Sequence, residues 1–173
     1  MRRTVTVVLG LATVLLASAC AESYPQCKAF EFGDLESEPR VTDDDASFED
    51  CGRVRVEGPM NAPLVPNASA LDCALEHLAD GRAMRMELDW GPDAEYSETA
   101  VIWSDDGRVA MRWRRVTNDL SLEREARVYQ LDAAQLEECR ALEDAGERFS
   151  CLYEAFDAGE LVETCQTKTF ASE

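Results

Sequence analysis

Four runs of alternating apolar and polar residues, between positions 84 and 131, constrain the fold of this chain more than any other feature. In the first run the apolar positions are Met84, Met86, Leu88 and Trp90. A period of two is typical of a strand that buries one face and exposes the other. Two further runs, 99–103 and 108–116, flank the turn signal Asp105-Asp106-Gly107, and a fourth covers 125–131. The pattern therefore predicts an antiparallel β-meander.

A short strand and a helix are predicted before the meander. Residues 51–57 alternate enough for a short strand, and the prolines that follow break any continuation. Asn67 or Ser69 can cap a helix that runs to about Ala79 and ends at Gly81. The leucines of this helix lie on one side, which we expect to cover the sheet: Leu71, Leu75 and Leu78.

Two further helices are predicted near the C-terminus. Asp132 has capping-box spacing to Gln135 and opens a helix that ends before Gly146. Its apolar positions are Leu136, Cys139 and Leu142. A shorter helical pattern follows Ser150 and ends at Gly159. One face of that second helix carries Phe149, Leu152, Tyr153 and Phe156.

The predicted order, a helix laid on an antiparallel meander, resembles that of cystatin-like and NTF2-like proteins. The resemblance carries no motif, so it implies a fold and no function. The expected fold class is α+β, with a helix packed on an antiparallel β-meander, C-terminal helices and stabilising disulfides. The length of the chain fits one such domain, which we place at residues 51–173.

The N-terminal segment has the order of a secretory signal peptide. Met1-Arg2-Arg3 is positively charged, residues 4–19 are uncharged, and small residues precede Cys20. The uncharged run is shorter than the roughly 20 residues that a spanning helix needs, so export is favoured over a retained transmembrane helix. We therefore assign residues 1–19 to a signal peptide and 20–50 to a lipid-anchor tether and acidic loop.

Leu16-Ala17-Ser18-Ala19-Cys20 resembles the bacterial lipobox. The resemblance implies that Cys20 is lipidated with two or three acyl chains and becomes the first residue of the mature protein. Two or more chains make an anchor durable, whereas one is marginal. The segment 17–19 also satisfies the ordinary A-x-A peptidase, which would leave Cys20 without lipid. The lipobox predicts an exported protein, anchored at the outer membrane or cell surface through the lipid on Cys20.

Cysteine parity supports the same reading. The chain has seven cysteines, and setting Cys20 aside leaves an even set: Cys27, Cys51, Cys73, Cys139, Cys151 and Cys165. No two of them are spaced as CxxC, and disulfides persist in exported proteins, so we expect three disulfides rather than a zinc or redox site. The spacing leaves fifteen connectivities open. We favour Cys51 with Cys73, which would tie the strand at 51–57 to the first helix.

Residues 22–50 are acidic and weakly apolar, as in a solvated tether or loop. If Cys27 pairs with a cysteine of the domain, the tether is only 21–26 and the acidic stretch is a loop fastened at Cys27 and Cys51. We favour the fastened loop. Acids alternate in 42–48 as in a calcium loop, but Phe48 stands where the turn glycine belongs, which excludes an EF-hand. We predict no metal site and no cofactor, with weak calcium binding by this stretch as the alternative.

The chain carries 35 acidic and 17 basic residues, for a formal net charge of −18. Such a field repels phosphate backbones and anionic headgroups, so nucleic acid is not an expected partner and cationic partners are favoured. The basic stripe at 111–115 is the exception. Strand alternation points Trp113 inward with Val109 and Met111, and Arg112 and Arg114 outward. We expect the arginines to pair with acids across the sheet, or else to contact an anionic ligand.

No constellation of catalytic residues is recognisable. His77 is the one histidine in the sequence, there is no G-x-S-x-G, and close carboxylate pairs arise by chance among so many acids. We predict a cell-envelope lipoprotein that acts as a non-enzymatic binding or structural module, with a protein partner in the envelope. The alternative is an envelope hydrolase that uses carboxylates, or His77, in a cleft between the sheet and the C-terminal helices.

Overall fold

A six-stranded sheet is the centre of the computed structural model, which describes residues 24–28, 30–31, 40–41, 47–59, 61–91, 96–118 and 121–171. The elements, in chain order, are α1 (Pro25–Lys28), β1 (Phe30–Glu31), β2 (Arg40–Val41), β3 (Glu49–Val56), α2 (Ser69–Ala79), β4 (Met84–Trp90), β5 (Tyr96–Ser104), β6 (Val109–Asn118), β7 (Ser121–Gln130), α3 (Ala133–Ala141), α4 (Ala145–Ala158) and β8 (Glu160–Ala171). Strands β3 to β8 lie side by side in chain order, and β1 pairs separately with β2.

The predicted α+β class and the meander are confirmed. Strands β4, β5, β6 and β7 pair antiparallel in succession, and the turn at Asp105-Asp106-Gly107 joins β5 to β6. Gly107 has a φ of +72°, and a Cβ there would lie 2.6 Å from the Cα of Gly81. The turn therefore needs glycine both for its backbone conformation and for the close approach of another chain segment.

Helix α2 also lies where the sequence predicted it. The N-cap is Ala68, which has no side-chain cap, so the prediction that Asn67 or Ser69 caps the helix is wrong. The Asn67 side chain instead accepts hydrogen bonds from the backbone N–H and the hydroxyl of Ser69 (3.2 and 2.9 Å), in the turn before the helix. Gly81, with φ at +69°, ends it. Because α2 connects β3 to β4, these two strands pair in parallel, which the alternation pattern does not specify.

The C-terminal helices are divided differently from the prediction. Helix α3 ends at Ala141, before Gly146 as predicted, but α4 begins at Ala145 rather than after Ser150, so Gly146 lies inside a helix. Asp144 is the cap, and its carboxylate accepts a 3.0 Å hydrogen bond from the N–H of Glu147. Gly146 is required instead by close packing, because a Cβ there would lie 2.1 Å from the carbonyl oxygen of Pro63.

Strand β8 was not predicted at all. It pairs antiparallel with β7, but the register shifts twice, between Ala126 and Arg127 and between Val128 and Tyr129. Each shift inserts an extra residue and exchanges the faces of the strand. The sequence of β8 therefore lacks the strict alternation by which the other strands are recognised.

The sheet buries apolar side chains on both faces. Helices α2, α3 and α4 cover one face, in a core that includes Leu71, Leu75 and Phe156. The opposite face holds a second cluster: Val101, Trp103, Met111, Trp113, Ala126 and Val128. Cys27 and Phe48 pack against that second cluster, so the segments before β3 contribute to its cover.

Candidate functional site

Three disulfides use all six of the predicted cysteines. Cys51 pairs with Cys73, as favoured from the sequence, and ties β3 to α2 with 5.5 Å between the Cα atoms. Cys139 pairs with Cys151 and joins α3 to α4. Cys27 pairs with Cys165, across 138 residues of sequence. Disulfides of this kind persist in oxidising compartments, so the fold is that of an exported protein.

The Cys27–Cys165 disulfide fastens the N-terminal segment to β8. The prediction that Cys27 pairs with a domain cysteine is thus confirmed, and the acidic stretch is held at Cys27 and Cys51. Residues 42–46 of the calcium-like stretch lie outside the described residues, as do Cys20 and residues 1–19, for which a signal peptide is predicted. Phe48, at the end of that stretch, is half-buried against the second cluster of the sheet.

Arg112 does not face solvent, and that part of the prediction is wrong. It points toward the helices and retains 3% of its exposure. Its guanidinium carbon lies 5.2–5.6 Å from the ring centres of Tyr129, Tyr153 and Phe156. Trp113 is fully buried on the other face, as predicted. Since both faces of β6 are covered, alternation separates its residues into two sets without telling which set meets water.

The buried charged side chains Arg112 and Glu98 both have hydrogen-bond partners. Arg112 donates to Asp157 at 3.3 Å, and Glu98, 2% exposed, accepts hydrogen bonds from the hydroxyls of Tyr96 (2.7 Å) and Tyr153. Burial, and then the charge of Glu98, raises the pKa of both tyrosines. The two hydroxyls therefore stay protonated and remain donors to Glu98.

Arg114 pairs with an acid across the sheet, as predicted. It donates to Glu125 on β7, and Arg127 reaches the same carboxylate at 2.9 Å. Burial lowers the pKa of Arg114, but the charges of Glu125 and Glu98 outweigh that effect and raise it. Because Arg112 and Arg114 already contact acids of the chain, the buried network is a structural feature rather than a site for an anionic ligand.

The candidate functional site is a groove beside the N-terminal part of α4, separate from the buried network around Arg112. It lies between the loop at residues 61–64 and the junction of α3 with α4, and its volume is about 670 Å³. That volume falls within the range of pockets that hold small ligands. Leu64 forms one wall, whereas Leu142, Glu147 and Glu154 belong to the other. We name this feature the α4 groove.

The walls of the α4 groove are held in place. Leu64 and Glu57 exchange two backbone hydrogen bonds of 2.7 and 2.8 Å, which fix the loop to the end of β3. The loop also contacts α4 directly, through the carbonyl of Pro63 above Gly146. Cys151 in the helical wall is bound to Cys139, so the disulfide sets the angle between α3 and α4. A ligand would therefore meet a preformed surface.

The lining of the α4 groove is acidic. Asp144, Glu147 and Glu154 line it, and none of its lining residues is basic. The adjacent Arg148 turns away, donates to the carbonyls of Leu142 and Glu143 (2.7 and 2.8 Å), and forms an ion pair with Asp72. The charge of the groove is therefore not neutralised from within.

His77 lies elsewhere. It is half-buried on α2, and its Nδ1 lies 3.2 Å from the carbonyl oxygen of Ala83, so the ring bridges the helix to the start of β4. Within the described residues, no group of three or more His, Cys, Asp or Glu side chains is arranged to hold a metal ion. In the same part of the chain, no helix combines the length and apolarity needed to cross a membrane.

Sequence reasoning did not find the α4 groove. The signals were present in the prolines at 59, 63 and 66 and in Gly146, but their meaning depends on a contact between two distant segments. No protein-family model, curated protein or solved structure matches this chain.

Proposed function

We propose that the protein is a cell-envelope lipoprotein, anchored through Cys20, whose folded part is a non-enzymatic binding module with the α4 groove as its ligand site. The observation that carries the proposal is the pairing of all six cysteines beyond Cys20. The chain has seven cysteines, so the one left over is the one that the lipobox resemblance marks for lipidation.

The position of Cys27 supports a role close to the membrane. An extended chain spans at most about 3.6 Å per residue, so the seven steps from Cys20 to Cys27 reach roughly 25 Å. Since Cys27 is bonded to β8, a lipid on Cys20 would hold Cys27, and the part of the domain to which it is bonded, within that distance of the lipid surface. Partners of such a module are then expected in the envelope rather than in bulk solution.

Intact mass and peptide mapping of the unreduced protein, purified from membranes, test the anchor. We expect a chain that begins at lipid-modified Cys20 and contains three disulfides, and a Cys20→Ser variant that leaves the membrane fraction. Recovery of a chain cleaved before an unmodified Cys20 would contradict the proposal. The Cys20→Ser chain should keep the same three disulfides, which separates loss of the anchor from loss of the fold.

One observation favours the alternative of an envelope hydrolase. The α4 groove holds Glu147 and Glu154 in one concave surface, which is the arrangement that the carboxylate mechanism needs. The two residues are seven positions apart on one helix, so their backbones lie about 10 Å from each other. Hydrolysis of chromogenic ester, glycoside or peptide substrates, abolished by Glu147→Gln or Glu154→Gln, would establish the alternative in place of the binding module.

A further inference from the structure

We infer that the α4 groove binds an extended segment of a partner protein in which two basic side chains flank an apolar one. This inference deepens the proposed function, since it names the ligand of the same site. It follows from three properties of the groove, namely an exposed apolar side chain, uncompensated acids and fixed walls.

The apolar part of the groove is formed by Leu64, with Pro63 beside it and Leu142 opposite. Leu64 is 63% exposed, the highest value among the large apolar side chains that are exposed in the described part of the chain. Its loop is tied down on both sides, by Glu57 and by α4, so the side chain is displayed rather than left on a loose end. Covering it with an apolar side chain of a ligand removes both from water.

The acidic part is a single face of α4. Glu147 and Glu154 are exposed and lie two helical turns apart, about 10 Å along the axis. In an extended peptide the side chains two positions apart point to the same side and lie about 6.6 Å from each other, and the long side chains of lysine or arginine cover the remaining few ångströms. Basic side chains at those positions would meet one glutamate each and leave an apolar residue between them over Leu64.

The charge of the groove selects this ligand over the others. Nucleic acids and anionic lipids are repelled by a chain of net charge −18 and by a lining without basic residues. Arg148, the cation nearest in sequence, is engaged by two backbone carbonyls and by Asp72. A peptide that carries arginine or lysine therefore supplies the counter-charge that the chain itself does not.

The experiment screens a bead-displayed library of heptapeptides against the mature protein, purified from membranes in detergent. The central peptide position is leucine or phenylalanine, and the other positions draw on Arg, Glu, Ser and Gly. We expect the selected peptides to carry two basic residues within four positions of each other. Affinities of the best peptides are then measured by fluorescence anisotropy at low and at high salt.

The matched variants remove equal charge from different surfaces. Glu147→Gln with Glu154→Gln should weaken binding of the best peptide roughly tenfold, since each exposed ion pair changes affinity by about two- to fivefold. Glu123→Gln with Glu138→Gln, two exposed acids outside the groove, should change affinity by less than about twofold. Leu64→Ser should also weaken binding roughly tenfold relative to the wild type, and this difference should be the same at low and at high salt, because apolar burial is not screened by ions.

The inference is overturned if no peptide is enriched over a scrambled pool, if neutral or acidic peptides are selected, or if the two double variants bind equally. These outcomes are distinguishable from failure of the proposed anchor. A lipidated protein that selects no basic peptide contradicts this inference alone. Selective binding by a chain with unmodified Cys20 contradicts the anchor alone. Circular dichroism of each variant checks that the fold is retained.

Discussion

Replacing Gly146 by alanine tests the contact that forms the α4 groove. A Cβ at this position would lie 2.1 Å from the carbonyl oxygen of Pro63, about 1 Å closer than real Cβ atoms approach a backbone oxygen. The oxygen belongs to the backbone of a loop that is hydrogen-bonded to β3, so it cannot rotate away. Overpacking of this kind costs about 1–3 kcal/mol, whereas alanine for glycine inside a helix returns at most about 1 kcal/mol. We expect a net loss of about 1–2 kcal/mol.

Urea unfolding with the disulfides intact, followed by circular dichroism, measures that loss. Gly91→Ala is the matched control, because its φ is not positive and, among the described residues other than its chain neighbours, no atom lies within 4 Å of a Cβ placed there. We expect Gly91→Ala to be neutral or to stabilise by up to about 1 kcal/mol, through a less flexible unfolded chain. Equal stability of Gly146→Ala and wild type would refute the contact between residues 61–64 and α4, and the groove with it.

Three further predictions concern the rest of the fold. Because the pKa of Tyr153 is raised by burial and by Glu98, the unfolded chain should ionise first above about pH 10, so stability should fall as pH rises. The free energy of unfolding should fall less steeply with pH in Tyr153→Phe, but not in Tyr24→Phe, which changes an exposed site. Equal pH profiles of stability for the two variants would contradict the raised pKa of Tyr153. Arg112→Ala should destabilise by about 3 kcal/mol and Arg112→Met by clearly less, since Met keeps the packing on three rings; thermal melts that rank them oppositely would argue against the buried site. Replacing Cys27 and Cys165 by serine should lower the free energy of unfolding by up to about 5 kcal/mol, because the disulfide closes a loop of 138 residues in the unfolded chain. A change under about 1 kcal/mol in urea unfolding would argue against a disulfide between these two residues.

Elements with a single buried face were predictable. Met84, Met86, Leu88 and Trp90 face the helices while the residues between them are less buried, so period and structure agree along β4. Helix α2 was predictable for the same reason, since its apolar stripe and its terminating glycine are both local signals. The pairing of Cys51 with Cys73 followed from those two elements, because it only required a strand and the helix that follows it to pack together.

Elements with two covered faces were not predictable to the same depth. Arg112 and Trp113 point to opposite sides of β6, yet both are buried, because helices cover one face and a second apolar cluster lies on the other. Alternation reports only that the two side chains diverge. The bulges in β8 removed even that signal, and the start of α4 depended on a cap at Asp144 that competes with several nearby acids.

The amino-acid sequence by itself determined the α+β class, the antiparallel order of β4 to β7, helix α2 and the odd number of cysteines that singles out Cys20. These follow from patterns within a short window, where propensity, turn chemistry and burial act on neighbouring residues. Only the tertiary structure decided the partners of Cys27 and Cys139, the burial of Arg112 and the α4 groove. Each of these depends on two segments that are distant in sequence, and the free energy of such a contact is set by packing that no local pattern encodes.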